Sequence, residues 1–311
     1  MVELDNLIRA LNVIGTDSAP LAREEVGHLV ISGHHVLSHR KVPGLRIEAD
    51  ETSEGLVAHV QISRETTIEN PIHLCFGMLQ KVGVQRVTLT VTLEDHASAT
   101  FLAHCFFPTA ERVEHVMDAS VEIGQGAILR YIEEHYHGPS GGITVTPKAI
   151  VRIGPQGRYQ ADFSLTTGRV GRLSIDTLVE AAAQAVTDLT TRVFGHDTDE
   201  IRLQERVVLA GEVSRGLIKT RMVLEGQASA EVTGITEGNA AGARGHMDCM
   251  EVVKDRAVAT AIPVVKVHHP LAKITHEAAI GSVDQQQLET LMARGLTPEQ
   301  AVDMIVKGLL R

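Results

Sequence analysis

From about residue 30 to residue 274 the chain alternates apolar and polar residues with a period of two. The clearest run is Val87-Thr88-Leu89-Thr90-Val91-Thr92-Leu93, with Val and Leu on one face and Thr on the other. Successive side chains of a strand point to opposite faces, so this pattern predicts a half-buried strand. Its β-branched residues favour the same conformation. Further strands are predicted over 57–62, 149–153, 217–224 and 263–267. Turn signals punctuate them, among them Gly154-Pro155-Gln156-Gly157, Gly195-His196-Asp197, Gly211-Glu212 and Lys254-Asp255. The later turns recur every 14 to 17 residues or so, the length of a strand and its turn. That spacing fits a solenoid with two strands per coil, and equally an antiparallel sandwich or barrel.

Both ends switch to a helical period. Leu4, Leu7, Ile8 and Leu11 fall at i, i+3, i+4 and i+7, and Gly15 is a stop signal. A second short helix is predicted from Pro20 to about Val26, capped by Ser18. Near the other end, Ser282 with Gln285 and Thr297 with Gln300 match capping boxes, the latter with Pro298 at the first helical position. The chain therefore divides into a helical segment 1–29, a β body 30–281 and a helical hairpin 282–311. The hairpin either caps the core or offers a docking surface.

Composition narrows the function. The chain has 311 residues, 43% of them hydrophobic, enough for one large domain or two modest ones. Its formal net charge of −10 opposes phosphate backbones, and aromatic residues make up only 3% with no Trp, so nucleic acid is not an expected partner. No stretch approaches the roughly 20 apolar residues of a membrane span. The first residues carry neither a basic region nor an apolar run. Three cysteines, Cys75, Cys105 and Cys249, do not make a disulfide framework. A reducing, cytoplasmic setting is the expectation.

No catalytic motif is present. Gly211 to Gly216 is followed by Leu217-Ile218, so the lysine and hydroxyl of a phosphate-binding loop are missing. Gly124-Gln125-Gly126 lacks the third glycine of a dinucleotide fingerprint, and there is no Gly-x-Ser-x-Gly elbow. The reading is that of a non-enzyme. Histidine, with sixteen residues, stands out: His34-His35, His104-Cys105 followed by His115, His135-Tyr136-His137, His246 near Cys249, and His268-His269 with His276-Glu277. His and Cys are ligands for iron, zinc and copper. Strand parity places His135 and His137 on one face, as it does His246 and Asp248, and sets His104 opposite Cys105 and His246 opposite Cys249. No pair has a diagnostic ligand spacing, so solvated histidines and buried, inert cysteines are the alternative.

The C-terminal stretch resembles the SufB/SufD family of iron–sulfur assembly proteins. The resemblance rests on Ala257-Val258-Ala259-Thr260-Ala261-Ile262-Pro263, then Ile274-Thr275-His276-Glu277-Ala278-Ala279-Ile280-Gly281, then Asp284-Gln285-Gln286-Gln287-Leu288, and finally Arg294-Gly295-Leu296-Thr297-Pro298-Glu299-Gln300-Ala301. It implies a mainly β chain with a right-handed parallel β-helix (solenoid) core and dimerisation through that core, as a homodimer or with a related scaffold. It also implies that the C-terminal helices dock a SufC-type ABC ATPase and that the protein builds or transfers iron–sulfur clusters. His276 and Glu277 fall on the family's His-Glu step near the dimer interface. The functional Cys of SufB-type members falls on Ala257, so this chain departs from that pattern and is D-like or homodimeric. The thiols left for a transient iron–sulfur cluster are Cys249, on the preceding strand with His246 or His276 nearby, and Cys105. A subunit that docks the ATPase and holds no cluster is the alternative, and a polysaccharide-acting β-helix enzyme ranks below both.

Overall fold

The computed structural model describes residues 19–310. The helix predicted over 4–15 lies outside them. In place of the helix predicted from Pro20 to Val26 there is one 3-10 turn, Ala19–Ala22. Six residues further on, at His28, the chain enters strands.

The first strands are β1 (His28–Ser32), β2 (His35–Arg40), β3 (Leu45–Glu51), β4 (Leu56–Ile62), β5 (Ile72–Gly77) and β6 (Val82–Leu93). Then come β7 (Ser98–Phe107), β8 (Arg112–Ile123), β9 (Ile128–His137), β10 (Ile143–Ile153), β11 (Arg158–Thr167) and β12 (Gly171–Ala181). The last are β13 (Val186–Gly195), β14 (Glu200–Leu209), β15 (Arg215–Leu224), β16 (Ser229–Gly238), β17 (Arg244–Val253), β18 (Val258–Val267) and β19 (Lys273–Gly281). From β4 and β5 onward, strands alternate between two sheets and pair in parallel with the strand two places on. This is the two-strand coil of a β-solenoid, and the sandwich and barrel readings of the turn spacing fall away.

Register is what makes the coils stack. Phe163 pairs with Thr191, 28 residues on, Thr191 with Thr220, 29 on, and Cys105 with His135, 30 on. Inward positions therefore form columns, and Val87, Leu89, Val91 and Leu93, all buried, are one coil's contribution. Burying each such side chain stabilises the fold by about 1.5–3 kcal/mol. The corners keep register through the turns. His96, Gly126, Gln184 and Gly242 adopt positive φ, and each is followed by a fully buried alanine, Ala97, Ala127, Ala185 and Ala243. A small residue is what a tight inner corner accepts. The ladder also continues through the turn: the His96 amide donates to Gln125 O at 2.8 Å and the Gly126 amide to Pro155 O at 2.9 Å. Ala257 occupies one of these corners, its successor Val258 donating to Ala228 O.

The two ends differ. At the start, β2 pairs antiparallel with β1 and β3 with β4, so hairpins close the stack. At the other end, among the described residues, β18 and β19 have no further coil above them, and Val258, Val267 and Ile280 stand 47–60% exposed. The helices Gln285–Ala293 and Pro298–Leu309 follow. The first is capped by Asp284 rather than Ser282: its side chain accepts from the Gln287 amide. The second has the predicted Thr297–Gln300 capping box.

One corner gives a direct test. Gly168 has φ +83°, and a Cβ there would lie 1.8 Å from the His137 carbonyl oxygen of the coil below. Gly168→Ala is expected to destabilise the chain by more than about 2 kcal/mol. The readout is a lower urea midpoint at unchanged slope; an unshifted midpoint would show that the corner tolerates a side chain.

Candidate metal centre in the solenoid lumen

Cys105 lies on β7, and its inward neighbour in the next coil is His135 on β9. Glu133 is two residues before His135, so parity aims it into the same lumen. The three ligand atoms lie within 4.8 Å of one another, and all three residues are buried. The Cys105 thiol is 3.9 Å from Glu133 Oε1, and His135 Nε2 is 2.7 Å from that same oxygen. From the opposite sheet, His115 on β8 brings Nε2 to 4.0 Å from Cys105 Sγ. His137 extends the array, its Nε2 3.3 Å from His135 Nδ1. Phe107 packs on the His115 ring at 5.0 Å between centroids and Phe163 on His135 at 4.8 Å.

This environment sets protonation. Burial, then the Glu133 charge, pushes the Cys105 thiol well above its ordinary value, so it is a thiol in the ligand-free protein. Burial lowers His115 to about 3 and His137 well below the ordinary imidazole range. Both are neutral at physiological pH, the form that ligates metals. One thiol, one carboxylate and two imidazoles from both walls of the lumen are the donor set of a borderline divalent cation.

The sequence-selected residues sort differently. His104 faces out, as parity requires, and stacks on His73 at 5.9 Å. Cys75 faces away from the lumen too, buried with Val30 and Phe106 in an outer apolar layer. His135 and His137 share a face as expected, but it is the buried one and not a solvated surface. On β17, Cys249 faces inward and His246 outward, where His246 Nδ1 meets Thr275 Oγ1 at 2.8 Å. His246 and Cys249 therefore do not form one site. His276 pairs with Met247 and Cys249 with Ala278, so Cys249 and His276 share the inward face of neighbouring strands, offset by two residues. Glu277 alternates to the other face. Burial raises the Cys249 thiol to about 11, eased by the neighbouring Thr220 hydroxyl. Sequence reading missed Glu133. The signal was there: in Glu133-Glu134-His135-Tyr136-His137, one Glu has the parity of the two His.

A second inward polar group lies further along. Glu205 accepts from the Thr191 hydroxyl at 2.8 Å, leaving Oε2 without a partner. Glu251, fully buried two residues beyond Cys249, has no partner for either carboxyl oxygen. Burial raises both carboxyls to about 7.

Comparison with known proteins agrees with the resemblance. Residues 78–309 match the protein-family model described as SUF system FeS cluster assembly, SufBD core domain. An iron-sulfur cluster assembly SufBD family protein of Methanocaldococcus jannaschii is 34% identical over 308 residues, covering 99% of this chain and 98% of its own. Its counterpart in Pyrococcus horikoshii is 31% identical over 308 residues, covering 99% and 94%.

The buried carboxyls predict a pH dependence. Glu205 and Glu251 sit at about 7 in the fold against 4.5 when free. The folded state thus holds protons that the unfolded chain releases between those values, and stability falls as pH rises through that window. At pH 8 each costs on the order of 3 kcal/mol. The Glu205→Gln, Glu251→Gln double variant is expected to melt above wild type at pH 8, with the two melts converging towards pH 5. An equal gap at both pH values would refute the assignment.

Proposed function

The chain belongs to the SufBD family of iron–sulfur cluster assembly proteins, and from that premise we propose that it is a non-catalytic assembly subunit working beside a separate SufC-type ATPase. The observation that carries this reading is the Cys105, Glu133 and His135 donor set, within 4.8 Å, inside the solenoid of a chain that two SufBD family proteins match over 99% of its sequence. Iron and sulfide are cargo here, and the chain supplies a sheltered donor set. The ATP chemistry comes from elsewhere, since no phosphate-binding loop is present in the sequence.

The C-terminal helices are the proposed ATPase contact. Ala301 and Val306 of the second helix are buried, while Met292 and Met304 stand 40% and 51% exposed. Methionine suits a docking face because it adapts to irregular partner surfaces. The proposed dimer contact is the last coil. Val265, Val267 and Ile280 there continue inward columns with no coil above to cover them, and a second copy supplies that cover. His276, the next residue in the Met247 column, lies at this end, so a twofold axis brings it near its copy. A cytoplasmic setting accords with these partners, and no helix among the described residues is long and apolar enough to cross a membrane.

Two measurements test the reading. Anaerobic incubation with ferrous iron and sulfide is expected to give a visible chromophore that the chain passes to a cluster-free acceptor protein. A protein that binds the ATPase yet never develops the chromophore would support the docked subunit without a cluster instead. Co-elution with a SufC-type ATPase is expected, and Met304→Asp is expected to weaken it at least about tenfold, 1.4 kcal/mol. An ATPase indifferent to the wild-type chain would remove the partner from the proposal.

A further inference from the structure

We infer that the lumen site takes a single divalent iron ion, on Cys105, His115, Glu133 and His135, and not a preformed cluster. The inference deepens the assembly reading and rests on it for the identity of the metal.

Geometry favours one ion. Metal–nitrogen and metal–sulfur bonds of about 2.0–2.3 Å in a tetrahedron separate the donors by about 3.3–3.8 Å. Cys105, Glu133 and His135 offer ligand atoms within 4.8 Å of one another, the thiol 3.9 Å from Glu133 Oε1, and His115, its Nε2 4.0 Å from the thiol, swings in from the opposite wall as the fourth ligand. Clusters are held mainly by thiolates, and this site has one. Phe107 and Phe163 close on the His115 and His135 rings at 5.0 and 4.8 Å between centroids. His115 strengthens the case: it is 1% exposed, aimed at Cys105 from the other wall, and its Nδ1 has no partner.

Protons balance. One tautomer pair satisfies both contacts: His135 donates Nε2–H to Glu133 and accepts at Nδ1 from His137 Nε2. To ligate through Nε2, His135 moves its proton to Nδ1 and donates it to His137 Nε2, whose own proton shifts to Nδ1. That is the outer hydrogen bond that orients a ligating histidine. The imidazoles lose no net proton. The Cys105 thiol releases one as its sulfur bonds the metal. His137 is thus a positioning residue.

An access route is also built in. The ladder between β10 and β12 is continuous except at Thr146 and Pro147, where proline has no N–H to give. A cavity of about 90 Å³ is lined by Pro147 and the exposed Lys148 on that side and by Glu133, Tyr159 and Glu205 within. The cavity thus joins this gap in the ladder to Glu133, a member of the site.

The test uses the full chain, anaerobic and metal-free, titrated with cobalt(II) alone and then with ferrous iron alone, without sulfide. One cobalt per chain is expected, with a near-ultraviolet thiolate-to-metal band. Cys105→Ser and Cys105→Ala should both lose the band, the pair guarding against a fold defect in either, with circular dichroism as the check. His115→Gln should weaken binding at least about tenfold, 1.4 kcal/mol, and Cys249→Ser should leave the titration unchanged. His137→Phe should shift the metal's visible spectrum while keeping the thiolate band. No cobalt uptake, or a band that survives loss of Cys105, overturns the inference. If wild type still builds a cluster from iron and sulfide in that event, the assembly reading stands without it. If cobalt binds as described and no cluster ever forms, the site stands and the assembly reading falls.

Discussion

Each coil of this protein hydrogen-bonds to the next at a fixed register, and that constraint decides everything inside it. A side chain facing inward meets the same position of the coils below and above, about 4.8 Å away. The lumen between the two sheets is filled by these columns. An inward residue is apolar, or small enough for a corner, or satisfied by another inward group, or, like Glu251, buried with unpartnered oxygens at a cost in stability. The corner alanines Ala97, Ala127, Ala185 and Ala243 meet the second condition. The Cys105, His115, Glu133, His135 and His137 group meets the third, in a buried interior where each interaction is stronger than in water.

The cost of such a group explains its content. A carboxylate alone in this lumen would protonate, as Glu205 and Glu251 incline to do. Glu133 has two inward neighbours, His135 at 2.7 Å and Cys105 at 3.9 Å. The outer surface obeys a gentler rule. Arg152 spans Glu122 and Glu180 of the flanking coils, and Arg172 reaches Glu200, pairs that repeat the 28–30 residue register in water. Exposed pairs of this kind contribute little individually. They reinforce a register that the lumen has already fixed.

The same constraint leaves one end unfinished. Hairpins close the first coils, but the last coil shows to solvent the columns that every other coil buries. Chemistry near this end, His276 and the corner residue Ala257, is set by position in the stack: Ala257 is a corner residue first, and a corner favours small side chains. Cys249 lies one coil in, where burial keeps its thiol protonated.

Much of the fold was legible in the sequence. Strict alternation in Val87–Leu93 fixes a strand with one buried face, because side-chain direction in a strand depends on parity alone. Thr297, Pro298 and Gln300 fix a helix start, because capping is local. Parity also separated His104 from Cys105 and His246 from Cys249. Which parity faces inward, and which residues meet across coils, is not local. Cys105 meets His135 because the coil between them is 30 residues long, and both meet His115 only because two sheets face each other across a lumen. Spacing left the choice between solenoid and sandwich open, since strand and turn lengths are the same in both. Register between distant strands settled it, and with it placed a thiol, a carboxylate and two imidazoles in one buried volume.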